Sequence, residues 1–287
     1  MNLKNKEKLL KHKHNNNDNP ILKKIKNLYN RMEKRYIVIL IIAILIFLPY
    51  ISNEFIEGHD YICHVSNIYA LDEYISFSEG IFFPSKIRSV ISNNLGYGNG
   101  IFYPQFSYYV TLYIYKIIKV LFGMSIVTSM KIYEFLVLFL AGIFMYKFVV
   151  QSFKNKDAAL LAALIYMTAP YFIADIFTRT AYAEIGIFLF MPIVMIGINH
   201  ILNKNYKSFI IYFVIGYSGM ICSHLVMTVY FTILLIILLL INIKQVFNRK
   251  SIISFIIATL IVIRYNFTIF ISDDRTYGKW RLCGISR

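Results

Sequence analysis

Long apolar runs, separated by short polar connections, dominate the chain. They fall at 36–51, 101–122, 126–150, 157–174, 181–199, 208–222, 225–243 and 251–271. A helix that crosses a bilayer needs about 20 apolar residues, within a range of about 17–25. Several runs are short, which predicts tilt or local thinning of the bilayer. The 208–243 stretch is too long for one span. Gly216, Ser218, Gly219 and the pair Ser223-His224 offer a place to turn. Pro170, in Ala169-Pro170-Tyr171, predicts an end or a kink in its helix. The pattern therefore predicts an all-α integral membrane protein of about seven transmembrane helices. An outer loop of interfacial helices is expected between the first two.

Charge decides which runs cross. Residues 1–35 carry eleven Lys/Arg against three acids, whereas 52–100 carry six acids and two bases, Lys86 and Arg88. Cytoplasmic connections are enriched in Lys and Arg, so the N-terminus is expected inside and the 52–100 loop outside. If 101–122 crossed, the connections holding Lys154 and Lys156, Lys204 and Lys207, and Lys244, Arg249 and Lys250 would all lie outside. If it lies in the outer interface, all three become cytoplasmic together. Lys116, Lys119, Pro104 and many tyrosines suit that second placement.

Composition agrees with the pattern. Apolar residues make up 58% of the 287, and mean hydropathy is +0.59, both above the range of soluble domains. The net charge of +15 is concentrated at the N-terminus. Beside a span it reads as a topological signal and a contact for membrane lipid, not as a nucleic-acid surface. Asn19-Pro20 followed by 21–36 predicts a basic amphipathic helix on the inner leaflet. Cys63, Cys222 and Cys283 are scattered, which supports neither a disulfide framework nor a metal site. The apolar run 36–51 reads as a retained signal anchor. The expected organisation is a basic cytoplasmic segment at 1–35, a membrane domain at 36–271 with its outer loop at 52–125, and a polar tail at 272–287. From Arg264 onward the sequence reads either as a short genuine tail or as the product of a shifted frame or truncated gene.

The stretch Gly58-His59-Asp60-Tyr61-Ile62-Cys63-His64 holds the first candidate chemistry. Asp60 and His64 are four apart, so on a helix they share a face. Asp60, just past a span and partly buried among apolar residues, would suit a general base; capping a helix N-terminus is the structural alternative. His64 would orient it or hold a donor phosphate. Lys86 and Arg88 could meet a lipid phosphate or lipid headgroups. Asp175, Arg179 and Glu184 lie on the same side, as does His224. Asp175 and Arg179 have the spacing of an ion pair; Arg179 facing a phosphate is the alternative. The glycine-rich run at 94–100 matches no nucleotide-binding fingerprint and reads as a turn. Asn266-Phe267-Thr268 fits a glycosylation acceptor but lies in apolar sequence.

Three segments together resemble a known family: GHDYICHVSNI, NNLGYGNGIFYPQFSYY and LIYMTAPYFIADIFTRTAYAEIG. With the Ala158–Ala163 run and the aromatic stretch Phe102 to Tyr109, they are similar to the N-terminal part of multispanning lipid-sugar-dependent glycosyltransferases of the GT-C type. Among these the likeness is greatest to bacterial membrane proteins labelled "6-pyruvoyl-tetrahydropterin synthase-related", over about residues 36–262. The resemblance implies that Asp60 is the catalytic acid position of the first outer loop. It also implies a polyprenyl-phosphate-linked sugar as donor. Their placement on the outer side makes His64, Lys86, Arg88, Arg179, Glu184 and His224 the substrate-binding candidates. A divalent metal is compatible with Asp60 but not required. Such proteins usually carry further spans and an outer C-terminal domain, so the chain is expected to be an N-terminal fragment. The competing expectations are a membrane transporter or flippase, which places ionisable groups near the midplane, and a non-catalytic truncated membrane protein. Ionisable groups near span ends favour the enzyme.

Overall fold

The computed structural model describes residues 34–51, 58–74, 98 and 103–271, with backbone alone at 73–74 and 267–271. Expectations for the basic segment before residue 34, for Lys86 and Arg88, for most of the 94–100 turn and for the 272–287 tail lie outside the described residues. Every described element is helical. In chain order these are α1 (Lys34–Phe47) with a 3-10 turn (Leu48–Ile51), α2 (Tyr61–Tyr74), α3 (Phe106–Phe122), α4 (Ile126–Phe153) and α5 (Lys156–Met167). Then come α6 (Pro170–Ala174), a π-turn (Asp175–Arg179), α7 (Ile185–Leu202), α8 (Tyr206–Ser223), α9 (Leu225–Ile241), α10 (Ile243–Val246) and α11 (Arg249–Ile271). Each apolar run predicted from the sequence forms a helix. Four segments are long and apolar enough to cross a membrane: Lys34–Ile51, Ile126–Phe153, Lys156–Arg179 and Ile185–Leu202. Leu225–Ile241 is a shorter apolar helix.

α4 lies at the centre and packs against α1, α2, α3, α5 and α7. A first core gathers Ile39, Tyr108, Met130, Ala163 and Phe172; a second joins α7, α8, α9 and α11 through Val194, Phe209, Phe213 and Ala258. Pro170 occupies the first turn of α6 after α5 has ended at Met167, as its missing N–H dictates. The turn between α8 and α9 falls at His224, in extended conformation (φ −156°). Gly216 and Gly219 make no turn. They stand inside α8, where a Cβ would come within 2.7 Å of Val194 Cγ2 and 2.3 Å of the Phe190 ring. Their small size lets α8 approach α7 closely, as small residues do between membrane helices. Asn266 is buried and donates to Ser218 Oγ at 3.3 Å, which ties α11 to α8.

The helices define two ends. At one, Arg35 meets Asp157, Gln151 Nε2 lies 3.0 Å from His200 Nε2, and Tyr206 donates to Asn248 at 3.5 Å. The connections bearing Lys154, Lys156, Lys204, Lys207, Lys244, Arg249 and Lys250 therefore gather at the end where α1 begins. At the other, the Tyr50 hydroxyl donates to the Ile176 carbonyl at 3.0 Å and Lys131 Nζ to the Tyr50 carbonyl at 3.2 Å. α3 makes its buried contacts at this second end, through Ser107 to Tyr133 (2.8 Å) and Thr111 to Tyr182.

Candidate functional site

The site at the second end starts from a close backbone approach. His59 N–H donates to the Thr178 carbonyl (3.2 Å) and Asp60 N–H to the Arg179 carbonyl (3.1 Å). The Gly58–Asp60 turn is thus docked on the π-turn by main-chain bonds. A Cβ on Gly58 would lie 1.6 Å from Thr180 Oγ1, so only glycine fits. Thr180 ends the π-turn at φ +51°, a left-handed conformation uncommon for a β-branched residue. It redirects the chain so that Tyr182 and Glu184 turn back toward the turn.

The docked turn separates Asp60 from His64. Asp60 is exposed, not partly buried as its sequence position suggested, and its carboxylate caps no main-chain N–H among the described residues. His64 is buried, with Nδ1 2.7 Å from the Tyr108 hydroxyl. Tyr103, Tyr108 and Tyr182 surround it at ring separations of 5.7–6.3 Å. Burial pushes the His64 imidazole down to about 4, opposed by the Asp60 charge and the nearby Thr180 main chain, so it is neutral near pH 7. His64 Nε2 has no hydrogen-bond partner among the described residues.

Arg179 is held by two carboxylates. It donates to Asp175 Oδ1 at 2.6 Å, to Glu184 Oε2 at 3.2 Å and to the Tyr171 hydroxyl at 3.1 Å, and Tyr171 donates to the other Glu184 oxygen. The Asp175–Arg179 pair read from their spacing is present. The Arg179 side chain remains 40% exposed while Asp175 is fully buried, so one face of the guanidinium stays open. His224 caps α9, its Nδ1 accepting from Met227 N–H at 3.3 Å, and packs edge-on against Tyr103 at 6.1 Å. Burial lowers its imidazole; Glu184 opposes this and Arg179 adds to it. Burial raises the Tyr103 phenol, with Asp60 and Glu184 adding to the effect. The structure thus brings Asp60, His64, Arg179, Glu184 and His224 to one end, linked through Tyr103.

Sequence reasoning passed over Tyr103, Tyr108 and Tyr182, whose signal was the density of tyrosines in the quoted segments. It also passed over Glu134. That residue is 2% exposed and lies within Ile126–Phe153, a segment apolar enough to cross a membrane. Among the described residues no group of three His, Cys, Asp or Glu side chains is arranged to hold a metal ion. No protein-family model matches the chain, and no curated protein sequence matches it either.

Proposed function

We propose that the protein transfers a sugar from a polyprenyl-phosphate donor to an acceptor at the extracytoplasmic face of the cell membrane. The observation that carries this reading is the pair of main-chain bonds fixing Asp60 beside the π-turn that bears Arg179. In this reading the lysine-rich end faces the cytoplasm by the positive-inside rule, so the docked turn faces outward. α3 lies in the outer interface, and seven helices, among them α8, α9 and α11, cross the bilayer.

The chemistry follows from the exposed carboxylate. The acceptor oxygen attacks the anomeric carbon, the carbon–oxygen bond to phosphate breaks, and polyprenyl phosphate departs. Asp60 takes the acceptor proton. The donor phosphate meets the open face of Arg179, or Lys86 or Arg88, which lie outside the described residues; Glu184 holds Arg179 in place, and His64 and His224 are the remaining substrate-binding candidates at the same end.

Two experiments test the reading. Membranes holding the full chain are incubated with labelled polyprenyl-phosphate sugars. Asp60→Asn is expected to lower transfer by about 10²–10⁴-fold and to leave the unfolding midpoint unchanged, because Asp60 is exposed. Full activity in that variant, or no transfer by the wild type with any donor, overturns the reading. Orientation is tested separately. With Cys222 and Cys283 replaced by serine, a membrane-impermeant maleimide should label the exposed Cys63 on intact cells. A cysteine at Ser152 should react only after permeabilisation; the opposite pattern reverses the topology.

A further inference from the structure

Two main-chain bonds hold the Gly58–Asp60 turn on the bundle: His59 N–H to the Thr178 carbonyl at 3.2 Å and Asp60 N–H to the Arg179 carbonyl at 3.1 Å. The His59 and Asp60 side chains are exposed and Gly58 has none. Lifting the turn therefore uncovers no apolar side chain of its own. The chain beyond it is fixed. Tyr61 is 6% exposed, and Ile68 and Leu71 anchor the rest of α2 in the core. The junction is also strained. Thr180, a β-branched residue, stands at φ +51°. Its Oγ1 faces Gly58 at close range and has no hydrogen-bond partner among the described residues. Both features raise the energy of the docked arrangement.

His64 lies behind this turn. Its N–H donates to the Asp60 carbonyl at 3.2 Å. The Tyr182 ring, two residues past Thr180, packs 5.7 Å from its own, and the Tyr103 and Tyr108 rings stand beside it at 6.3 and 5.7 Å. The imidazole is buried, and its Nε2 has no hydrogen-bond partner among the described residues. A buried nitrogen in that state needs a partner that the closed arrangement does not supply. We infer that the Gly58–Asp60 turn is a lid, hinged at Tyr61, whose lifting opens His64 Nε2 to molecules from solution. Closed, the lid sets Asp60 beside the π-turn; open, it presents the imidazole. Under the proposed function the gated imidazole is a substrate-binding candidate, but the lid rests on the contacts above and stands whether or not that assignment holds.

The test uses the full chain in detergent near neutral pH. Diethylpyrocarbonate acylates uncharged imidazole nitrogens, and the modified histidines are mapped by mass spectrometry. His59, exposed on the lid itself, is the internal reference. His64 is expected to react more slowly than His59, by the same factor that protects the His59 and Asp60 amides from hydrogen exchange. It should react well before the amide of Leu138, buried in α4, exchanges, because local opening precedes global unfolding. Low urea should leave the His64 rate unchanged, since lifting the turn exposes little surface. Gly58→Ala pushes the turn off Thr180 and should speed His64 modification by about 5–150-fold, up to the rate of His59, with His59 itself unchanged. His64 reacting as fast as His59 in the wild type, or only in step with Leu138 exchange, overturns the lid. So does a folded Gly58→Ala protein in which His64 reacts no faster. Should that variant fail to fold, the wild-type rates and their response to urea decide.

Discussion

Arg35 and Asp157 meet at 2.6 Å at the lysine-rich end of the bundle; Arg179 and Asp175 meet at the same 2.6 Å at the other. The first aspartate side chain is 87% exposed and the second is fully buried. Equal geometry therefore carries unequal consequences. In water the first pair is screened and worth little, whereas breaking the second strands a carboxylate away from solvent. The same contrast runs through both ends. The lysine-rich end keeps its charges at the surface, where they can orient the chain. The other end draws His64, Asp175, Thr180, Glu184 and Ser223 inside, where each must be positioned by its neighbours.

Breaking the buried pair gives the largest expected effect. Arg179→Gln should destabilise by about 3 kcal/mol, the lower end of the range for a buried pair because the guanidinium is partly exposed. Adding Asp175→Asn should recover part of that loss in denaturant unfolding, and no recovery would break the contrast. Acid comes next. The folded value of His64, about 4, lies below the usual 6.5, so the unfolded chain takes up its proton first as pH falls. Stability should be whole above about pH 6.5 and should decline by up to about 3 kcal/mol on the way to pH 4 and below. His64→Phe should remove this part of the pH profile. Gly58→Ala follows, with a cost of about 1–3 kcal/mol as the turn is pushed off Thr180 and, under the proposed function, a loss of sugar transfer beyond what stability explains. Smallest is Asp157→Asn at the exposed end, expected to cost less than about 1 kcal/mol and to shrink further in high salt.

The helices were legible because apolar runs of this length leave the backbone few alternatives to satisfying its own hydrogen bonds. Lysine placement at the connections also foretold that 34–35, 154–156, 204–207 and 244–250 gather at one end. The site was only partly legible. Spacing revealed the Asp175–Arg179 pair, since four residues on one helix are neighbours. It could not reveal that Asp60 points out and His64 in, because that depends on Gly58 docking against residues far along the chain. Glu134 was invisible for a related reason. One acid in an apolar helix leaves no periodic trace of the face it occupies, and burial alone makes it notable. Gly216 and Gly219 read as turn formers in sequence, yet close packing of α8 on α7 uses the same absence of a side chain.

The Gly58–Asp60 turn is held to the π-turn by main-chain atoms on both sides. Neither bond depends on the side chain at position 59 or 178. Those two positions flank the exposed carboxylate and can be exchanged without relocating it, provided glycine stays at 58. The architecture thus uncouples where the Asp60 carboxylate stands from what surrounds it. Under the proposed function, a library randomised at His59 and Thr178 is a direct route to changing which acceptor is used while keeping Asp60 in place.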